Sequence, residues 1–133
     1  WKSPTTLVLE LFTKYHKGAI LKTNVKTNKF ISPKLGKQPS YKNNKTIDAS
    51  ATSFKNEICL SVVNKSENKN IELKSPYLNK IYQTFTINGE SKTDLNSYEK
   101  NKKVQIKKNV LKYNLNKIIL PPHSINLIIF KNC

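Results

Sequence analysis

The stretch Ser124-Ile125-Asn126-Leu127-Ile128-Ile129-Phe130-Lys131 carries apolar residues on both faces of any strand it forms. Successive side chains of a strand point to opposite faces, so Ile125, Leu127 and Ile129 share one side and Ile128 and Phe130 the other. Such a strand needs cover from both sides and belongs at the centre of a structure or beneath a neighbouring domain. Pro121-Pro122 stands just before it and cannot donate to a ladder, which stops the preceding short run at 118–120.

The runs that would surround this strand have the same character. Residues 47–54 and 57–64 read as a hairpin, with Ile58, Leu60 and Val62 facing inward. A polar turn at 65–68 leads into 70–73. Residues 80–88, rich in Ile, Tyr, Phe and Thr, end at Asn88-Gly89. Residues 104–107 and 110–115 are expected to pair across Lys108-Asn109. Residues 19–26 alternate Leu21, Thr23 and Val25 with Lys22, Asn24 and Lys26. The segments 32–45 and 90–103 are polar and read as long loops. Roughly seven or eight short strands divided by turns predict an all-β chain, an antiparallel β-sandwich of immunoglobulin-like or jelly-roll type.

One helix precedes them, over residues 4–16. Ser3 suits its cap and Pro4 its first position, and Gly18 lies just past its end. Leu7, Val8, Leu11, Phe12 and Tyr15 recur at helical spacing and form a stripe that must be buried, by this domain or by a neighbour. No boundary follows Gly18. The chain therefore divides into 1–18, a helix, and 19–133, a sandwich.

At 133 residues and 37% hydrophobic content there is enough chain for one domain with one core. Methionine is absent, so the sequence is expected to be a portion of a longer protein. No apolar run reaches transmembrane length. The formal charge of +16 invites a polyanion partner, nucleic acid or membrane. All 24 basic residues are Lys, however, and the bidentate fork that reads bases and grips phosphate belongs to Arg. No specific nucleic-acid partner and no membrane partner is expected. The densest cluster is Lys100, Lys102, Lys103, Lys107 and Lys108. Cys59 and Cys133 make no disulfide framework, which is compatible with a reducing, cytoplasmic compartment.

Chemistry is sparse. Glycoside hydrolysis needs two carboxylates about 5 Å apart for retention, or about 6.5–9.5 Å apart for inversion. The eight acids are Glu10, Asp48, Glu57, Glu67, Glu72, Glu90, Asp94 and Glu99, and none stands in an acid/base or nucleophile motif. Asp48, opening a strand, is expected to accept backbone N–H bonds. His16, at the helix end, suits a cation beside the carbonyls, and His123 follows two prolines in a turn. No metal or cofactor spacing occurs. The expectation is no catalytic, cofactor-binding or metal-binding residue. Asn44-Lys45-Thr46 and Asn64-Lys65-Ser66 match the glycosylation acceptor by chance in a chain so rich in Asn and Lys. Trp1, Tyr41, Tyr77 and Tyr98 are the aromatic residues placed to stack on sugars.

Two motifs, in order, carry a resemblance. One is Asp48-Ala49-Ser50-Ala51-Thr52 followed by Cys59-Leu60-Ser61-Val62-Val63-Asn64-Lys65-Ser66; the other is Leu120-Pro121-Pro122-His123-Ser124 with the strand after it. Together with the helix 5–16 and Asn96-Ser97-Tyr98-Glu99, they resemble the C-terminal β-sandwich of α-L-arabinofuranosidases of glycoside hydrolase family 51. Lys65 stands where that family generally has Arg. The resemblance implies a retaining hydrolase of terminal arabinofuranosyl bonds in arabinan and arabinoxylan, whose catalytic glutamates lie on a (β/α)8 barrel upstream of residue 1. It makes residues 1–18 the last barrel helix and 19–133 a non-catalytic domain, inert alone, that supports the barrel and oligomer contacts. The surfaces expected to touch the barrel are the helix stripe and the outer face of 125–130. The family's sandwich also takes a strand from upstream of the barrel. Residues 1–133 do not contain it, so an unpaired edge or a substitute strand is expected. The alternatives are a stand-alone carbohydrate-binding module and a lysine-rich polyanion binder.

Overall fold

The computed structural model describes residues 1–110 and 117–131. It has one α-helix, α1 (Pro4–Tyr15), and ten strands among the described residues: β1 (Ala19–Leu21), β2 (Lys29–Ser32), β3 (Tyr41–Lys45), β4 (Ile47–Phe54), β5 (Glu57–Asn64), β6 (Ile71–Leu73), β7 (Ile81–Asn88), β8 (Gln105–Val110), β9 (Ile118–Leu120) and β10 (Ser124–Lys131). Six form one antiparallel sheet in the order β1-β4-β5-β10-β7-β8. β2 pairs with β3, and β6 with β9, in two small sheets.

β10 lies where its two apolar faces require, between β5 and β7, with Leu127 opposite Ser61 and Phe85. Leu127, Ile128 and Ile129 are at most 2% exposed. Leu127 and Ile129 join Leu7, Leu11, Cys59, Phe85, Ile87 and Val104 in a core beneath α1. Ile128 joins Ile47, Val62 and Leu120 in a second core on the other side, under β6 and β9. The architecture is thus an all-β sandwich with a single α-helix, and the large sheet is its middle layer.

The helix begins as its sequence dictates. The Ser3 hydroxyl accepts from the Thr6 N–H at 3.2 Å, and Pro4 opens the first turn. Its stripe is not a free surface awaiting a barrel: Leu7 and Leu11 are buried against the sheet of this same chain, with Val8, Phe12 and Tyr15 packed beside them. The outer face of β10 is likewise filled from within, by the second core. Both surfaces expected to meet a barrel are therefore internal. Gly18 turns the chain from α1 into β1 at φ +96°, and a Cβ there would lie 2.1 Å from the Ser53 carbonyl oxygen, so only glycine permits this approach.

Three other expectations change. β1 stops at Leu21, after which residues 22–28 cross the second core, with Val25 packed on it. The segment 32–45 is a loop only in part, because β2 and β3 pair within and beside it, and Asn44 Nδ2 donates to Ser32 Oγ at 2.8 Å. Its few apolar residues, Phe30, Ile31 and Tyr41, are exposed and fall on no single face, so it carries no apolar alternation. Lys108-Asn109 does not turn: β8 runs straight through it, paired with Phe85 and Thr84 of β7. Exposed lysines fit an edge strand, where they oppose pairing with other chains. The pairing expected for 110–115 lies outside the described residues beyond Val110. Finally, β5 is covered on both faces. Leu60 and Val62 meet the second core as expected, while Cys59 points to the helix side.

Candidate functional site

A groove of about 980 Å³ opens on the face of the sheet away from α1. Its floor is Ile47, Ala49, Ala51, Leu60 and Val62, and its walls are residues 21–27 and 71–77. The sequence explains the cavity. β4 turns Ile47, Ala49 and Ala51 to this face, and methyl side chains leave the space that larger residues fill under α1. The second layer is also short, since β6 and β9 have three residues each. β1 pairs only with Ala51, Thr52 and Ser53, so among the described residues the outer edge of β4 from Ile47 to Ser50 has no strand partner. An unpaired edge beside an apolar groove can accept an extended segment.

Of the carboxylates only Glu72 lines this groove; the others lie elsewhere, four of them in ion pairs. Glu10 pairs with Lys2 at 2.6 Å, Asp48 with Lys65 at 2.9 Å, Asp94 with Lys103 at 2.6 Å, and Glu67 with Lys92. Glu57 accepts from the Tyr82 hydroxyl at 2.5 Å. Burial, then that bond, pushes the Tyr82 phenol up to about 12. Glu72 lies on β6 opposite Ile119; Glu90 and Glu99 are in the exposed loop after β7. Among the described residues Asp48 accepts no backbone N–H bond of the kind expected of it; its carboxylate is ion-paired with Lys65. Hydrogen bonds from Lys103 and Lys92 hold Asp94 and Glu67 below the usual carboxylate range. A general acid needs the opposite shift. Among the described residues, no three His, Cys, Asp or Glu side chains are grouped to hold a metal.

His16 stacks on Phe12 with centroids 5.1 Å apart, and its Nε2 lies 2.9 Å from Ser50 Oγ. Burial lowers its pKa, so the cation expected at the helix end gives way to a neutral ring bonded to β4. His123, at φ +39°, spans the carbonyls of Glu67 (3.2 Å) and Gly89 (3.0 Å) and ties two loops to the start of β10. Cys59 is buried and its thiol is raised to about 12 by burial first and Glu57 second.

The sugar-stacking candidates are exposed but unassembled. Trp1, Tyr41, Tyr77 and Tyr98 make no ring contact with one another; Tyr77 stacks on Phe130 at 6.3 Å in the groove wall. The residues that sequence reasoning missed are two buried asparagines. Asn64 Nδ2 donates to the carbonyls of Lys69, Leu120 and Pro121, and Oδ1 accepts from the Ser66 N–H. Asn96 donates to Lys2 O and Val104 O, both at 2.8 Å, and accepts from Val104 N at 2.7 Å. Both stand in the motifs that carry the resemblance, Val63-Asn64-Lys65 and Asn96-Ser97. In these motifs the asparagines clamp backbone. Asn64 is fully buried, which closes that glycosylation acceptor to modification.

No protein-family model and no curated protein matches this sequence. Solved structures match its fold. An α-L-arabinofuranosidase from Thermotoga maritima superposes with a TM-score of 0.80 at 18% identity, over 97% of this chain and 29% of that one. The family 51 (GH51) enzyme from Thermotoga petrophila RKU-1 gives 0.76 at 17%, over 97% and 29%. A family 51 enzyme from Bifidobacterium longum gives 0.76 at 16%, over 98% and 26%. The chain spans less than a third of each. The fold described above is thus one found, as a portion, within family 51 α-L-arabinofuranosidases.

Proposed function

We propose that this chain is the non-catalytic C-terminal sandwich of an α-L-arabinofuranosidase, acting to support a catalytic barrel that hydrolyses arabinofuranosyl bonds of arabinan or arabinoxylan. The observation that carries this reading is the superposition over 97% of the chain on an arabinofuranosidase more than three times as long. The ion-paired carboxylates agree with it, since the two with shifted pKa are both driven toward the ionised form. In this reading residues 1–18 are the last helix of the barrel, with one side committed to the sandwich, and 19–133 are the domain proper. The groove beside the bare edge of β4 is the seat for the strand that such a sandwich takes from upstream of the barrel.

The test is hydrolysis of an aryl α-L-arabinofuranoside by the purified chain, alone and joined to a family 51 barrel that has lost its own sandwich. The expected result is background release from the chain alone and restored stability and activity in the joined protein. Enzyme-like turnover by the chain alone would overturn the reading.

A further inference from the structure

The ion pairs of Asp48, Glu67 and Asp94 lie at the end of the sheet where β5 finishes and β10 begins. At the other end, where β4 turns into β5 and β10 finishes, four lysines of one neighbourhood lie over aromatic rings; Lys65 over Phe30 and Lys80 over Tyr77 make the same contact outside it. Lys14 sits 5.1 Å from the Tyr15 centroid, Lys17 and Lys55 sit 4.8 and 5.5 Å from that of Phe54, and Lys131 sits 5.3 Å from that of Tyr82. They form one neighbourhood. Lys14, Lys17, Phe54 and Glu57 border a common pocket, and Lys131 is the cross-strand partner of Glu57. Glu57 lies at this end and accepts from the Tyr82 hydroxyl.

Two physical consequences follow. The rings hold the ammonium groups in place, which lowers the entropy lost when a ligand binds them. The ammonium groups lie over these rings and compete with nucleobases for their faces, and the chain has no Arg to grip an anion bidentately. A partner here is recognised through spaced single negative charges on a polymer.

We infer that the face formed by Lys14, Lys17, Lys55 and Lys131 binds a carboxylate-bearing polysaccharide, a polymer containing uronic acid. The lysine face calls for spaced single negative charges; the choice of uronic-acid carboxylates on a saccharide rests on the arabinofuranosidase reading above. Binding is electrostatic and weakens as salt rises beyond the point where the screening length is about 8 Å, near physiological ionic strength.

The experiment is affinity electrophoresis and titration of the 133-residue chain against polygalacturonate. The comparison ligands are the same polymer methyl-esterified, polyglutamate, and a single-stranded DNA oligonucleotide. Polygalacturonate is expected to bind and the esterified polymer not to. Combining Lys14→Gln, Lys17→Gln, Lys55→Gln and Lys131→Gln is expected to weaken binding roughly tenfold or more, the sum of four exposed charge contacts. Removing the same charge with Lys100→Gln, Lys102→Gln, Lys107→Gln and Lys108→Gln is expected to weaken it less than about threefold, as screening over a distance requires. Equal losses from the two quadruple variants would overturn the inference, because net charge alone would then account for binding. DNA bound as tightly through the same four lysines would also overturn it. Equal binding of polyglutamate would leave the carboxylate face and overturn the saccharide. None of these outcomes bears on hydrolysis, so the arabinofuranosidase reading stands or falls separately. Melting curves of both variants check that loss of binding is not loss of fold.

Discussion

The two faces of the large sheet are built from the same strands and finished differently. Under α1, Leu7 and Leu11 close over Leu127, Ile129, Phe85 and Cys59, and Val104 seals the end. On the other face Ile128 and Val62 are equally buried at the centre, but toward β4 the cover thins to a groove floored by Ala49 and Ala51. The difference lies in what caps the sheet. A twelve-residue helix brings a full apolar stripe in one piece, whereas two three-residue strands and an irregular crossing cannot. One face is finished within residues 1–133. The other is finished only where the short strands reach.

This contrast can be broken by truncating each face. Leu127→Ala in the closed core is expected to cost about 3 kcal/mol, as deletion of a fully enclosed leucine does. Leu60→Ala in the groove floor is expected to cost about 1 kcal/mol or less, because its methyl groups are only half-buried. Equal losses in denaturant titrations would mean that the groove is closed in solution. The loop that seals the helix side supplies the next effect. Asn96→Ala removes three backbone bonds and is expected to cost about 2 kcal/mol, leaving Val104 N and O unpaired.

Filling sharpens the comparison from the opposite direction. Ala49→Leu is expected to leave the melting temperature unchanged or raise it slightly, since the groove has room. Cys59→Leu, on the same sheet but under the helix, is expected to lower it, at a cost of about 1–3 kcal/mol for overpacking. Thr52, next to Cys59 on the helix side, buries a hydroxyl with no partner. Thr52→Val is expected to be neutral or stabilising by less than about 1 kcal/mol.

The smallest effects are those of pH. Asp94 has a lowered folded-state pKa, so it contributes stability above the ordinary carboxylate range and loses it as pH falls through its folded value. His16 is also lowered, so folding favours its neutral form. Its contribution is full above 6.5 and declines as pH falls through the folded value. Denaturation midpoints measured from pH 8 to 3 are expected to fall in two steps. His16→Gln is expected to remove the upper one and Asp94→Asn to diminish the lower, to which Glu67 also contributes. The Cys59 thiol, raised to about 12, is expected to resist alkylation at pH 8 in folded Cys133→Ser protein and to react once unfolded.

The central strand was legible because its constraint is local. Apolar side chains on both faces of residues 124–131 leave a single kind of environment, and the structure gives it. The β4–β5 hairpin was legible for the same reason, down to its bounds at 47–54 and 57–64. The β2–β3 hairpin was not, because its apolar residues, Phe30, Ile31 and Tyr41, stay exposed, and strands that bury nothing on one face write no periodicity. The straight run of β8 through Lys108-Asn109 was hidden too, since a turn-like dipeptide and an exposed edge strand have the same composition. At the sites, sequence identified which acids exist but not their partners, and it passed over Asn64 and Asn96, whose amides find backbone from distant segments.

The sequence by itself determined the class of the molecule: one capped helix, a succession of short strands, a final strand that must be covered on both sides, and a lysine excess without arginine. Those features depend on residues a few positions apart. The tertiary structure decided which surfaces are spent and which remain. It turned the helix stripe inward onto its own sheet, left the groove beside β4 open, and gathered four lysines over the rings at one end. The physical reason is that burial and charge pairing are set by segments tens of residues apart, and no local pattern encodes which of them meet.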